Sequence, residues 1–445
     1  MVLIEQLRGK VAKWPYSLVS AMAAVSAFGT YSCMYSFRKA FAAGTFTGQQ
    51  YFHVDYKVWL VIAQVVGYMC SKFYGIKFIA EVNSKNRARY ILTLIGIAWF
   101  ALLAFAIAPA PWNIIFLFVN GFPLGLIWGL VFGYLEGRRS TEFMASVLSV
   151  SLIFASGFVK TVGRTLLTGF YVNEYLMPFL TGAVFVLPLL FFVGCMELIP
   201  PPTQEDSALR AERVPMNADE RKQFIIRFLP GIILTLIVYV LLTIMRDVRD
   251  NFEVEIWASL GIKDNSIFTT TDIKISVVVL VAMSLLILIR RNLLAFSIIH
   301  VMIIGGCILV GGSTIFFSAH MITAQVWMIM VGLGLYLGYV PYNAVFFERM
   351  IASFHYKSNV GFIMYVADSM GYLGSVSVLL VKELGRPNIS WGQFFKEGVM
   401  VVAIVGGVCG MLSLLYFLQS AKLSQNSKVK IQNGLLADDL LTTIK

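Results

Sequence analysis

The chain has 445 residues, of which 58% are hydrophobic and only 13% charged, against roughly 45–50% and about 25% in soluble domains. With a mean hydropathy of +0.78 and about a dozen apolar runs near the roughly 20 residues needed to cross a hydrocarbon core, a soluble enzyme, a nucleic-acid binder and a disordered protein are excluded. The net charge of +11 therefore matters through its distribution across a bilayer rather than as a sum.

The predicted fold class is an all-α membrane protein of twelve transmembrane helices in two pseudo-symmetric six-helix bundles. The opening MVLIEQLRGKVAKW reads as an amphipathic basic lead into the first span rather than a cleavable signal. Hydropathy and breakers then place helices at 16–42, 57–80, 89–108, 112–135, 143–169 and 174–197. A second set follows at 225–247, 272–290, 293–317, 321–347, 357–382 and 394–419. Between the sets lies PPPTQEDSALRAERVPMNADERKQ, the most polar stretch of the chain, which reads as a linker. The expected domains are thus 1–198, a linker at 199–224, a second bundle at 225–420 and a polar tail at 421–445.

Basic residues set the orientation. Lys77, Lys85, Arg87, Arg89, Arg138, Arg139, Arg290 and Arg291 all fall on the side that also holds both termini. By the positive-inside rule that side is cytoplasmic. On the opposite side, basic residues sit near acidic ones in the segments 246–274 and 382–397, read as outer loops. A repeat relates the halves: Tyr31 precedes Arg38 by seven residues, as Tyr239 precedes Arg246, and Glu136 corresponds to Glu348.

Ionisable side chains inside a bilayer cost roughly 2.5–3.5 kcal/mol or more, so each asks for an explanation. At helical spacing they form one polar stripe per helix. Helix 1 carries Tyr31, Tyr35 and Arg38; helix 2 carries Gln64, Tyr68 and Lys72; helix 5 carries Ser149, Ser156 and Lys160. Helix 7 carries Tyr239, Thr243, Arg246 and Asp250, and helix 11 carries Tyr365, Asp368, Tyr372 and Ser375. Facing one cavity, these would make a tyrosine-lined, net positive site, with Asp368 and Asp250 as coupling groups. Arginine forks and a lysine point charge suit a small anion, best a dianionic phosphate. The competing reading is that Arg38, Lys72, Lys160 and Arg246 snorkel to an interface or cap their helices; an aspartate such as Asp368 cannot snorkel far. The five cysteines lie in apolar runs and the four histidines are isolated, so no disulfide framework, metal or cofactor is expected.

Several short motifs carry a resemblance. YSFRKAF (Tyr35 to Phe41), YMCSKF (Tyr68 to Phe73), RDVRDNF (Arg246 to Phe252), GYLGS (Gly371 to Ser375) and GFP (Gly121 to Pro123) resemble, in order, motifs of the organophosphate:phosphate antiporters. That family is a branch of the major facilitators and includes the glycerol-3-phosphate and hexose-phosphate transporters. The resemblance implies the major facilitator fold and phosphate-binding roles for Arg38, Lys72 and Arg246, with Tyr35 beside them. The chain departs from the family at helix 5, where IFASGFVKTVGR lacks a histidine and Lys160 is the candidate substitute. The loop after helix 2, Gly75 to Arg89, resembles the superfamily's acidic–basic signature only loosely, with Glu81 nearest its acid.

The expectation is a secondary transporter of a small anionic solute, an organic phosphate or phosphonate, exchanging with phosphate or coupled to protons. Its partners would be that anion and the lipid bilayer, with no nucleic acid, as a monomer in a bacterial inner membrane. Two alternatives remain: a proton-coupled carrier of a carboxylate or sugar derivative, and a non-transporting sugar-phosphate sensor. Without a nucleophile–base constellation, a metal cluster or a Walker-type loop, neither an enzyme nor ATP is implied.

Overall fold

The computed structural model describes residues 2–82, 86–203, 206, 218–354, 361–386 and 388–423. Half of the 199–224 linker, the tail beyond Leu423, the start of the predicted 357–382 helix and the side chains of Glu81 and Tyr365 lie outside the described residues. The amphipathic lead forms α1 (Val2–Val11). Six long helices follow: α2 (Tyr16–Lys39), α3 (Tyr56–Glu81), α4 (Arg87–Ile107), α5 (Ile114–Leu135), α6 (Thr141–Gly169) and α7 (Met177–Glu197). Past the linker come α8 (Ala218–Ser259), α9 (Ile267–Ile287), α10 (Asn292–Ser318), α11 (Ala324–Ser353), α12 (Gly361–Gly385) and α13 (Trp391–Leu423). A ribbon of two short strands, β1 (Gln50–Tyr51) and β2 (Val54–Asp55), sits between α2 and α3.

Eleven of these helices are long and apolar enough to cross a membrane, and α12 occupies the place of the eleventh predicted span. Local signals explain where several begin. Pro15 precedes α2, and Thr323 and Ser390 cap α11 and α13 by accepting from the Val326 and Gln393 N–H groups. The α5–α6 turn passes through Gly137 at φ +84°, a conformation that side chains disfavour. Leu187, Phe191 and Ile308 point outward. On a soluble protein such an apolar belt would be a liability, whereas here it is the surface that meets lipid.

Helices α2 to α7 pack among themselves, as do α8 to α13; the two groups meet through α6 against α9 and α3 against α12. The α6–α9 crossing is close. A Cβ on Gly157 would fall 2.4 Å from the Phe268 carbonyl oxygen, so only the bare backbone lets these helices touch.

Two features depart from the expected elements. α8 runs on to Ser259 instead of ending at 247, so much of 246–274 is helix rather than outer loop. In this extension Asp247, Arg249, Asp250 and Glu253 are buried and paired, which removes the penalty that burial would otherwise impose. The helix bends at Phe252 (φ −117°, ψ 20°), where the Asn251 side-chain amide donates to the Asp247 carbonyl at 2.8 Å. Phe252 itself stacks on Trp391 with ring centroids 3.5 Å apart. In α11, a π-helical turn over Tyr342–Phe346 follows Pro341, an arrangement common at functional sites.

Candidate functional site

A cavity of about 370 Å³ lies where the two groups of helices meet. Its deep end is lined by Tyr31, Tyr35, Arg38, Tyr68, Lys72, Arg246, Asp247, Asp250, Asp368 and Tyr372; toward its mouth come Trp128, Asn343, Arg87, Glu136 and Glu348. The mouth is thus at the end of the helices that holds Val82, Arg87, Glu136 and Glu348.

Arg38 is set near the end of α2 by a polar knot behind the wall. Gln64 donates to the Arg38 carbonyl (2.6 Å) and to Asn120 (2.8 Å), and Asn120 donates to the carbonyls of Phe37 and Ala98 (2.9 Å each). The guanidinium lies 3.9 Å from the Tyr68 ring centroid and 5.7 Å from that of Tyr35, cation–π contacts that hold it flat. Its Nε has no hydrogen-bond partner. Among the described residues no carboxylate forms an ion pair with Arg38, unlike the cations around it.

Arg246 also lies 3.9 Å from a tyrosine ring, that of Tyr339, but its Nη2 is 2.6 Å from Asp247 Oδ1. Ser375 donates to the other Asp247 oxygen at 2.8 Å. Lys72 faces Asp368 across 3.9 Å, and the Tyr239 hydroxyl donates to Asp368 Oδ1 at 2.5 Å. Tyr68 and Tyr372 meet edge to face at 5.5 Å, as do Tyr31 and Trp128 at 5.1 Å.

Behind the deep end the two groups of helices are tied by charge. Lys39 reaches Asp250 (2.9 Å) and Asn251 (2.7 Å); Lys160 reaches Asp250 (3.1 Å) and Glu253 (2.7 Å), and Ser156 donates to Asp250. Arg249 bridges Glu253 (3.4 Å) and Asp272 (2.7 Å). Further out, Lys57 meets Glu255 at 2.5 Å, and the Asp55 N–H donates to Glu383 at 3.1 Å. In the ion pairs of Lys39, Lys57 and Lys160 the first group supplies lysine and α8 supplies carboxylate, whereas the Arg249 bridge lies within the second group. At the mouth end the polarity reverses in the Glu142–Arg349 pair (2.9 Å).

Nine of the twelve residues expected at a site therefore line one cavity. The other three do not. Gln64 is spent on the Arg38 backbone, and Tyr239 stands behind Asp368 as its donor. Lys160 was expected to supply a positive group to the cavity, but its ammonium is fully buried between Asp250 and Glu253. The physical reason is that two carboxylates within hydrogen-bond reach outbid open space for a buried cation. Sequence reasoning missed Asp247, Lys39, Glu253 and Asp272. Asp247 and Lys39 each sit next to a predicted arginine, and that adjacency was a usable signal. Glu253 and Asp272 fell in the supposed loop.

Outside the spans, Asp206 anchors the start of the linker to the α5–α6 turn, accepting from the N–H groups of Thr203 and Arg139 at 3.0 Å each. Burial works to raise its carboxyl, but these bonds, the Thr203 hydroxyl and the Arg138 charge outweigh it and hold the group below its ordinary value.

Known proteins give this architecture a context. A D-xylose–proton symporter shares the fold at a TM-score of 0.57 and 14% identity, over 91% of this chain and 97% of that one. A mutant peptide transporter in complex with alafosfalin gives 0.60 and 13%, over 94% and 99%. A further structure of that mutant peptide transporter gives 0.61 and 11%, over 94% and 99%. No curated protein matches the sequence. These neighbours are secondary transporters, and the chain has their all-α major facilitator fold as an integral membrane protein. Residues 40–420 match the model of a family of unknown function, DUF5690, and the chain belongs to that family.

Proposed function

We propose that the protein is a secondary carrier of a small anionic solute, an organic phosphate or phosphonate, moved by alternating access between bundles at 1–198 and 225–420. The observation that carries this reading is Arg38: a buried cation with no carboxylate partner among the described residues, on the wall of a cavity shared by both groups of helices. A buried charge left unpaired is costly, and a ligand anion would remove that cost. Arg246 stands on the other group's side of the same cavity. With both termini cytoplasmic, the cavity opens inward and the ties around Lys39, Lys57 and Lys160 form the closed outer gate. The motif resemblance supports phosphate chemistry, and the carrier works as a monomer in a bacterial inner membrane.

A second reading, proton-coupled transport of a carboxylate or sugar derivative, is favoured by the Lys72–Asp368 pair at the cavity wall, where a proton could exchange for the lysine's charge. Counterflow of radiolabelled phosphate and methylphosphonate in proteoliposomes tests the proposal. Uptake against unlabelled internal anion supports exchange, and uptake that requires an imposed pH gradient supports the second reading. Binding without any uptake would leave a sensor.

A further inference from the structure

The ionised side chains at the deep end pair off one by one. Arg246 is matched by Asp247, and Lys72 by Asp368. Lys39, Lys160 and Arg249 share Asp250, Glu253 and Asp272 in one chain of contacts. Arg38 is left over. At the mouth, Arg87 donates to the Gly133 carbonyl at 2.6 Å, and Glu136 and Glu348 stand nearby; this set adds no further positive excess. Among the described residues the deep end therefore offers one uncompensated positive charge, framed by the rings of Tyr31, Tyr35, Tyr68 and Tyr372.

We infer that the site takes a singly charged organic oxyanion, with Asp247 as the residue that sets this preference by neutralising Arg246. The inference rests on the carrier reading and narrows its substrate class from phosphomonoesters, doubly charged near neutrality, to phosphodiesters and phosphonate half-esters. A dianion would neutralise Arg38 and leave a second charge buried beside Asp247, Asp250 and Asp368, where like charges repel in a low dielectric. With one guanidinium face covered by Tyr68, the edge of the Arg38 fork is what remains for two oxygens of one anionic group. The surrounding tyrosine faces suit an organic substituent rather than a bare inorganic ion.

The test compares glycerol phosphate with its methyl diester, and glycerate as a carboxylate arm, by calorimetry on the purified protein. At about pH 7.5 the diester should bind about tenfold or more tighter than the monoester. At about pH 5.5, below the monoester's second ionisation near 6, the monoester should close most of that gap while the diester changes little. Asp247→Asn, which frees Arg246, should move the preference toward the monoester, and Arg38→Gln should weaken binding of all three about ten- to hundredfold. Glycerate binding like the diester would show that charge rather than phosphorus is read. Equal or tighter monoester binding by the wild-type protein at about pH 7.5 overturns the inference and leaves the anion carrier standing. No binding of any anion overturns both. The wild-type pH comparison needs no variant, so a misfolded Asp247→Asn does not spare the inference.

Discussion

Arg38 on α2 and Arg246 on α8 occupy equivalent places in the repeat, and each lies 3.9 Å from a tyrosine ring. They differ in the next residue. Lys39 turns away from the cavity to Asp250 and Asn251, whereas Asp247 turns back onto its own arginine at 2.6 Å. Two copies of one motif thus present a bare cation and a neutralised pair. Pseudo-symmetry of backbone does not carry over to electrostatics, because a single adjacent side chain decides which of two like charges faces the cavity without a neighbouring carboxylate.

The comparison breaks first at the lysines that α8's carboxylates depend on. Lys160→Met should destabilise the protein by about 3–5 kcal/mol, since it leaves Asp250 and Glu253 buried with fewer cations. Thermal unfolding in detergent would show it, and an unchanged transition would mean these carboxylates are not held as ions. Next, Arg38→Gln should weaken anion binding by about 1.5–3 kcal/mol, roughly ten- to hundredfold, the range of a charge-assisted hydrogen bond. Removing Arg246 and Asp247 together, as Arg246→Gln with Asp247→Asn, should lose less, because that pair carries no net charge; equal losses in titration of the two variants would erase the asymmetry. Asp368→Asn should abolish any dependence of uptake on a proton gradient while binding persists, and an unaltered dependence would remove Asp368 from coupling.

The smallest effect lies at the mouth. Asp206→Asn should cost about 1 kcal/mol at neutral pH. The folded-state carboxyl titrates below its ordinary value of 3.8, so its contribution is fully present above that pH and is lost as pH falls through the lower folded value. The difference in unfolding temperature between variant and wild type should therefore shrink as the pH falls below about 3.8 and vanish once it is below the folded value.

Periodicity and charge made much of this legible. The spans, the stripes bearing Arg38, Lys72, Arg246 and Asp368, and the fold followed from apolar length and helical spacing, which are local properties of a chain. What stayed hidden depended on neighbours. A stripe says that Lys160 and Ser156 share a face; it does not say that Asp250 and Glu253 of another helix fill the space in front of them. Likewise the acidic run after Arg246 resembles a water-exposed loop until the lysines that pair with it are brought from α2, α3 and α6.

The π-helical turn in α11 has a consequence for chain length. Such a turn holds one residue more than an α-helix of the same rise, and one residue is a rotation of about 100°. Winding the same residues as regular α-helix would swing Glu348 by about 100° around the helix relative to Tyr339, with no atom of either side chain changed. Deleting Ala344 removes the surplus residue and should let an unbroken α-helix keep the two in their present phase, with anion affinity close to that of the parent. The ring beside Arg246 and the carboxylate at the mouth are thus kept in phase by how the chain is wound between them rather than by the side chains of that turn.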